Sequence, residues 1–166
     1  RITGTDFFPR LVKLSQEKFF RLYFLGGKPD VAKIAKEKLE TQYPGCEIVG
    51  VQDGYFGAEM EESIIEDINS KHTHILMVCL GNPRQEEWIT KHKDKLNCNL
   101  IFGNGGALDY VADEVRRAPM WMQKGGLEWL FRLSQDFTIT RVKRQLKLLK
   151  FIWLLIKLKI FYKEQQ

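Results

Sequence analysis

The sequence predicts an α/β fold: a Rossmann-like parallel sheet with flanking helices, followed by a helical C-terminal appendage. Two observations predict the sheet. Four short apolar runs end in glycine or polar turns, and amphipathic stretches with helical periodicity separate them. The residue pattern of the sequence changes near residues 135–140, and this change predicts the appendage. Because 166 residues can bury one proper core but not two, we predict an α/β domain over 1–135 and an appendage over 136–166.

The individual elements follow from the same pattern. The apolar runs predict strands over 21–25, 47–51, 74–80 and 99–102. The amphipathic stretches predict helices over 6–18, 30–42, 58–70 and 83–96, and the pattern stays helical from Gly106 to the end. Helix starts carry their usual signals, because Asp6 can cap the first helix and Pro83 suits a first-turn position.

The net charge of +5 comes from the end of the chain. Residues 141–166 hold eight Lys or Arg and one Glu, which gives +7. Residues 1–140 hold 18 basic and 20 acidic residues, which gives −2. Because a nucleic-acid-binding domain usually spreads its basic residues over the folded surface, no nucleic acid is predicted as a partner.

The cysteines and the first residues bear on the compartment. Cys46, Cys79 and Cys98 are widely spaced, form no CxxC pair and have no histidines beside them at metal-ligand spacing. Neither a disulfide framework nor a zinc site is therefore predicted. The chain starts without the apolar segment of a signal peptide and without Met, so we expect the C-terminal part of a longer, cytoplasmic protein.

Three glycine-bearing turns follow predicted strands and predict an anion-binding cleft. They contain Gly26 and Gly27, Gly81 to Glu86, and Gly103 to Gly106. Ligands of open α/β sheets bind at this edge, where glycine lets a phosphate approach the backbone. Each turn alone could simply be a tight strand-to-helix connection. Three together favour a diphosphate-containing ligand, although none has GxGxxG or P-loop spacing.

Several polar residues near these turns could contact such a ligand. The Gln85 amide could bond a sugar or phosphate oxygen, whereas Glu86 and Glu87 could simply complement a helix dipole. Asp109 could bind sugar hydroxyls or be a first-turn acid. The arginines that could neutralise phosphate, or equally be solvated, are Arg116, Arg117 and Arg132.

Metal and serine-hydrolase chemistry are disfavoured. The sequence contains no DxD pair and no Gly-x-Ser-x-Gly elbow, and we expect neither a metal nor a cofactor. We interpret His72, His74 and His92 as structural or solvated.

Seven motifs together resemble the bacterial WecG/TagA/CpsF family of glycosyltransferases. They are RITGTD at 1–6, LGG at 25–27, GYF at 54–56, GNPRQEEW at 81–88, GGALD at 105–109, RAP at 117–119 and GLEWLFRL at 126–133. The resemblance implies an inverting, metal-independent transferase. Its relatives move an N-acetylmannosamine-type sugar from a UDP donor to an undecaprenyl-diphosphate-linked acceptor, in teichoic acid, enterobacterial common antigen or capsule synthesis.

The resemblance also implies roles for individual residues. Arg1 and Gln85 would place the donor phosphate and sugar, and the turn from Gly105 to Asp109 would line the nucleotide site. The catalytic aspartate of the family belongs to a region upstream of Arg1, so Asp109 and Glu128 are only fallback bases. The full set of substrate-binding residues expected is Thr3, Gly26, Gly27, Tyr55, Gly81, Pro83, Gln85, Asn104, Gly105, Gly106, Asp109, Arg117, Arg132, Arg141 and Arg144.

The end of the chain predicts a basic amphipathic helix. An apolar row recurs at three- and four-residue spacing, with lysines beside it; the row is Leu146, Leu149, Trp153, Ile156 and Ile160. The longest unbroken apolar run has six residues, far fewer than the roughly 20 that span a bilayer. We therefore expect it to lie on the anionic inner face of the bacterial cell membrane. A core or oligomer-interface helix is the alternative.

Two other functions remain open from the sequence. One is a non-catalytic, membrane-associated nucleotide-sugar-binding fragment or degenerate paralogue. The other is a soluble nucleotide-dependent enzyme with an oligomerising tail.

Overall fold

The computed structural model describes residues 4–135, 153–155 and 157. The chain forms two compact units, Arg1–Val115 and Arg116–Gln166, which are described separately below. The predicted boundary between residues 135 and 136 stays a prediction.

The first unit contains a four-stranded parallel sheet. Its strands are β1 (Arg21–Gly26), β2 (Glu47–Gln52), β3 (Ile75–Cys79) and β4 (Leu100–Gly103), in the order β2-β1-β3-β4. All four were predicted from their apolar runs to within one or two residues at each end. The parallel α/β fold is therefore confirmed.

The described residues of this unit form five α-helices: α1 (Gly4–Lys18), α2 (Val31–Gln42), α3 (Glu61–Ser70), α4 (Arg84–His92) and α5 (Ala107–Val111). Short 3-10 turns, Ala58–Met60 and Lys93–Lys95, occupy the ends of two predicted helices. Two predicted helix starts were slightly wrong. Asp6 lies in the first turn of α1 and does not cap it, and Pro83 immediately precedes α4.

The expectation of helix from Gly106 to the end was wrong. After α5, Asp113 adopts a left-handed backbone conformation with φ 60°, which stops a right-handed helix. Residues 116–119 have no regular structure. Pro119 disfavours helical backbone at the residue before it and lacks an N–H donor.

Alternating side chains of the central strands bury both faces of the sheet. Leu22 and Phe24 of β1 pack on one face with the apolar residues of α1, α2 and α5. Tyr23 and Leu25 point to the other face and pack with those of α3 and α4. Because successive strand side chains point to opposite faces, β1 and β3, which are buried almost throughout, form the middle of a three-layer core.

In the described part of the second unit, α6 (Met120–Lys124) and α7 (Glu128–Gln135) are short helices, and residues 153–155 and 157 are also helical. The side chain of Gln135 pairs with the backbone of Arg116. The N–H of Arg116 donates to Oε1 at 2.8 Å, and Nε2 donates to the carbonyl of Arg116 at 2.8 Å. Among the described residues, no helix is long and apolar enough to cross a membrane.

Candidate functional site

The strand order places a topological switch point between β1 and β3. The chain leaves β1 toward β2 over the face covered by α2, and leaves β3 toward β4 over the face covered by α4. The loops that follow neighbouring strands therefore diverge, which opens a crevice at the carboxyl edge of the sheet. The predicted glycine-bearing turns lie at this edge.

Gly26 allows the ends of β1 and β3 to approach closely. Its φ is 127°, and a Cβ built there would lie 2.3 Å from the carbonyl carbon of Cys79. The next residue, Gly27, donates its N–H to the Cys79 carbonyl at 3.2 Å. A larger residue at position 26 would push the two strand ends apart at the floor of the crevice.

Gln85 joins the loops after β3 and β4. It lies in the first turn of α4, and only 6% of it is exposed. Its Oε1 accepts a hydrogen bond from the N–H of Gly105 at 2.9 Å, and its Nε2 donates to Oε1 of Glu86 at 2.8 Å. These partners fix the orientation of the amide, and one of its N–H groups and one of its oxygen lone pairs take part in neither of these two bonds.

Two neighbouring features show how tightly this amide is held. A Cβ at Gly103 would lie 2.6 Å from Nε2 of Gln85, so the absence of a side chain there makes room for it. The hydrogen bond from Gln85 holds the pKa of Glu86 below its ordinary value, which keeps Glu86 ionised as an acceptor.

Asn104 is partly buried at this edge. Its Nδ2 lies 3.5 Å from the Gly4 carbonyl and 3.3 Å from Sδ of Met77, so it holds the start of α1 against β3. Arg1 and Thr3, which precede Gly4, lie outside the described residues. Whether Asn104 also contacts a ligand stays a prediction.

Cys79 is a buried thiol at the end of β3. Burial raises its pKa to about 12, and the charge of Asp109 acts in the same direction. The backbone N–H groups of Leu108 and Ala107 donate to its sulfur. Cys79 is therefore a neutral packing group that fixes the start of α5, the helix carrying Asp109, to the sheet.

Arg84, the residue before Gln85, has a role that the sequence did not indicate. It donates to the carbonyls of Gly54 at 2.7 Å and Phe56 at 3.1 Å, and its guanidinium lies 5.0 Å from the centre of the Phe56 ring. Adjacent helical residues point about 100° apart. This angle could have indicated that the side chains of Arg84 and Gln85 reach two different loops, the loop after β2 and the loop after β4.

Tyr55, the aromatic residue among the predicted site residues, is largely exposed. Its side chain is on the loop after β2, and the residue is 71% exposed. Its N–H donates to Oδ1 of Asp53 at 2.7 Å. Gly81 and Pro83 lie on the loop between β3 and α4, where the carbonyl of Gly81 accepts the N–H of Gln85.

In the second unit, two predicted site residues pair with each other. Nε of Arg117 lies 3.8 Å from Oε1 of Glu128, so the positive charge of Arg117 is partly balanced within the protein. The Arg132 side chain, Arg141 and Arg144 lie outside the described residues.

The described histidines and acids do not assemble a metal site. No group of three or more His, Cys, Asp or Glu residues in the described part of the chain is arranged to hold an ion. Nδ1 of His74 accepts the N–H of Arg21 at 2.9 Å, and buried His92 lies 3.0 Å from Glu61 through Nε2.

These features define the class of the molecule: a doubly wound α/β protein in which the loops at the carboxyl ends of the strands share one edge of the sheet, the edge where folds of this class bind ligands. The sequence model of the glycosyl transferase WecG/TagA/CpsF family matches residues 1–165. The chain belongs to this family, which confirms the resemblance seen in the motifs. A glycosyltransferase requires a sugar donor and an acceptor.

Proposed function

We propose that the protein transfers an N-acetylmannosamine-type sugar from UDP to an undecaprenyl-diphosphate-linked acceptor, with inversion and without a metal. The product would enter a cell-surface polysaccharide or teichoic acid. The observation that carries the proposal is the buried Gln85 amide, which joins two loops at the ligand edge and keeps hydrogen-bonding capacity. Family membership supports a sugar donor and an acceptor in general.

In the proposed reaction, an acceptor hydroxyl oxygen attacks the anomeric carbon as the bond to the UDP oxygen breaks. The hydroxyl proton passes to a carboxylate, and negative charge builds on the departing diphosphate. Without a metal, this charge must be stabilised by backbone N–H groups and cationic side chains. Gln85 would hold the sugar or phosphate oxygens in place during the displacement.

The general base is proposed to come from sequence upstream of Arg1, as the family resemblance implies. Among described carboxylates, Glu128 is the weaker candidate for the base because Nε of Arg117 already lies 3.8 Å from its Oε1. Asp109 is the remaining fallback, since it lies on α5 at the ligand edge.

We also propose that the tail holds the enzyme on the inner face of the cell membrane, where its lipid-linked acceptor lies. Residues 153–155 are helical, and each is substantially exposed: Trp153 by 58%, Leu154 by 43% and Leu155 by 49%. Nζ of Lys157 lies 5.4 Å from the centre of the Trp153 ring. An exposed apolar group beside a cation suits the boundary between acyl chains and anionic headgroups.

The test is transfer from UDP-N-acetylmannosamine to a polyprenyl-diphosphate-linked sugar. We expect transfer by the protein extended upstream of Arg1 to include the proposed base, and a loss of roughly 100-fold in its Gln85→Ala variant, the scale of removing one transition-state hydrogen-bond donor. Gln16→Ala is the matched control, because Gln16 bonds the Pro44 carbonyl at the opposite edge. UDP binding without transfer would favour the non-catalytic binding fragment.

A further inference from the structure

Two polar ring atoms on the buried side of α4 lack a partner in the protein. Trp88 is 4% exposed and His92 is 2% exposed. Among the described residues, no hydrogen-bonding group of the protein reaches Nε1 of Trp88 or Nδ1 of His92. Most buried polar side-chain atoms in proteins are paired, either with another protein group or with ordered water. Two unpaired atoms on one helix therefore need an explanation.

The two atoms belong to neighbouring side chains. Residues four apart lie on the same face of a helix, one turn apart, and the centres of the Trp88 and His92 rings are 4.9 Å apart. Trp88 packs in the apolar cluster that includes Ile64 and Ile65 of α3. In such surroundings an unpaired polar atom is costly, because it loses its bond to solvent on folding and gains nothing in exchange.

The other ring nitrogen of His92 decides what kind of partner Nδ1 needs. Nε2 lies 3.0 Å from Oε2 of Glu61, and Lys91 bonds to the same carboxylate oxygen. The bonds from Lys91 and His92 lower the pKa of Glu61, so its carboxylate is ionised at neutral pH and can only accept. In the neutral ring Nε2 therefore carries the hydrogen, and Nδ1 offers a lone pair.

The two unpaired atoms are thus chemically complementary. The indole N–H of Trp88 can only donate, and Nδ1 of His92 can only accept. One water molecule satisfies both, because its oxygen accepts a hydrogen bond while one of its own hydrogens is donated. Since both atoms are enclosed by protein, their partner has to be as small as water.

We propose an internal water site between Trp88 and His92, in which the water accepts the indole N–H and donates to Nδ1. The water and the His92 ring then connect Trp88 to Glu61, which joins α4 to α3. Trp88 is three residues after Gln85, so the site supports the part of α4 that carries the buried amide. The site does not depend on the proposed function, because it needs neither a nucleotide nor a sugar.

Nuclear Overhauser spectroscopy on the ¹⁵N-labelled full chain tests the site. The indole N–H of Trp88 should show a cross-peak at the water frequency with the sign of contacts inside the protein, because an enclosed water stays bound far longer than surface water. The rotating-frame experiment separates this contact from proton exchange, since the two give opposite signs. Trp121, which is 67% exposed, is the control, and its indole N–H should show no such cross-peak.

The ring nitrogens of the histidines give a second measurement, at about pH 8 to keep the rings neutral. His74 is the internal reference, because its Nδ1 accepts the N–H of Arg21 at 2.9 Å. Nδ1 of His92 should be unprotonated and should have a ¹⁵N shift close to that of Nδ1 in His74. A lone pair without a donor would resonate further downfield. His92→Phe should abolish the water cross-peak of Trp88, since the acceptor for the water hydrogen is gone.

Three results would overturn the inference. They are a folded wild type whose Trp88 indole shows no bound-water cross-peak, a proton on Nδ1 of His92 at about pH 8, and a Trp88 cross-peak that is unchanged in His92→Phe. The first two are measured on the wild-type protein, so they decide the matter even if the variant does not fold. Loss of transfer activity or of UDP binding would leave the water site standing.

Discussion

The position of the Gln85 amide depends on the absence of a side chain at Gly103. A Cβ at Gly103 would come within 2.6 Å of Nε2 of Gln85, and Gln85 has little room to move because it is buried. We predict that Gly103→Ala displaces the amide and reduces transfer by about tenfold or more, because misplacing a positioning group is costly. Steady-state transfer rates measure the effect.

The matched control for this substitution is Gly125→Ala. Gly125 has φ −78°, and a Cβ there would lie 3.3 Å from the nearest atom, the Trp121 carbonyl oxygen. It should fold and transfer sugar like the wild type. Equal activity of Gly103→Ala and wild type would show that the position of Gln85 is unimportant.

The position of Gln85 in the first turn of α4 was predictable from the local pattern. Its contact with a sugar or phosphate oxygen, predicted because a side-chain amide at that position could make such a bond, stays a prediction. The internal role of Asn104 was not predictable, since its contacts with Gly4 and Met77 join residues far apart in sequence. The same is true of Arg84, whose partners belong to the loop after β2.

At the scale of elements, ionised carboxylates fasten α3 to its neighbours. Oδ2 of Asp67 accepts hydrogen bonds from the Tyr23 hydroxyl at 2.8 Å and from Lys71 at 2.7 Å. Burial acts to raise the pKa of Asp67, but these two bonds outweigh it and hold the pKa below its ordinary value. The bond from Lys91 likewise lowers the pKa of Glu61 against the effect of burial.

These depressed pKa values predict acid sensitivity. The unfolded chain binds protons at a higher pH than the folded one does, so the stabilisation is complete above the unfolded pKa of about 4. It is lost as the pH falls through the lower folded values. The free energy of unfolding, from urea titrations, should therefore begin to fall near about pH 5 and keep falling toward about pH 3.

Variants assign this acid sensitivity to the α3 contacts. Asp67→Asn should reduce the loss of stability on acidification, because the group that gains the proton is gone. Asp94→Asn, at an exposed residue in the 3-10 turn after α4, should leave the pH profile as in the wild type. An Asp67→Asn profile identical to that of the wild type would refute the role of Asp67.

The strands are held by burial on both faces of the sheet. Leu76 of β3 is 0% exposed and packs with the residues of α3 and α4. Leu76→Ala should lower the free energy of unfolding by about 2–5 kcal/mol, from lost burial and the cavity left behind. Leu100→Ala on β4, where the leucine is 42% exposed, should cost less than about 1 kcal/mol. Equal costs at the two positions would contradict this account of the core.

The elements were predictable where local pattern decides them. Apolar runs such as 74–80 located the strands, because a strand buried on both faces must be apolar throughout. The end of helix after α5 was not predictable, because Asp113 and Pro119 interrupt a stretch whose apolar spacing still reads as helical. The strand order could not be predicted from the sequence either, since it depends on packing between distant segments.

At the scale of the whole molecule, the charge of the tail predicts membrane binding. The protein should sediment together with vesicles that contain anionic lipid. The amount that sediments should decrease with added salt, and it should fall to zero when the chain is deleted after Asp136. Each Lys or Arg near such a surface contributes about 1 kcal/mol. Replacing Lys147, Lys150 and Lys157 with Gln should therefore weaken binding strongly.

The matched control removes equal charge from the first unit, by replacing exposed Lys13, Lys18 and Lys33 with Gln. This variant should bind vesicles nearly as well as the wild type. Salt-independent dimerisation through the tail, without vesicle binding, would refute the membrane proposal and favour an oligomer interface.

The central claim is that UDP binds at the carboxyl edge of the sheet, and hydrogen–deuterium exchange with and without saturating UDP tests it most directly. We predict slower exchange in the loops 26–28, 53–57, 81–85 and 103–107, with no change in the loops at the opposite edge, 19–20, 71–74 and 96–99. Protection confined to that opposite edge, or no protection in the four ligand-edge loops, would contradict the account.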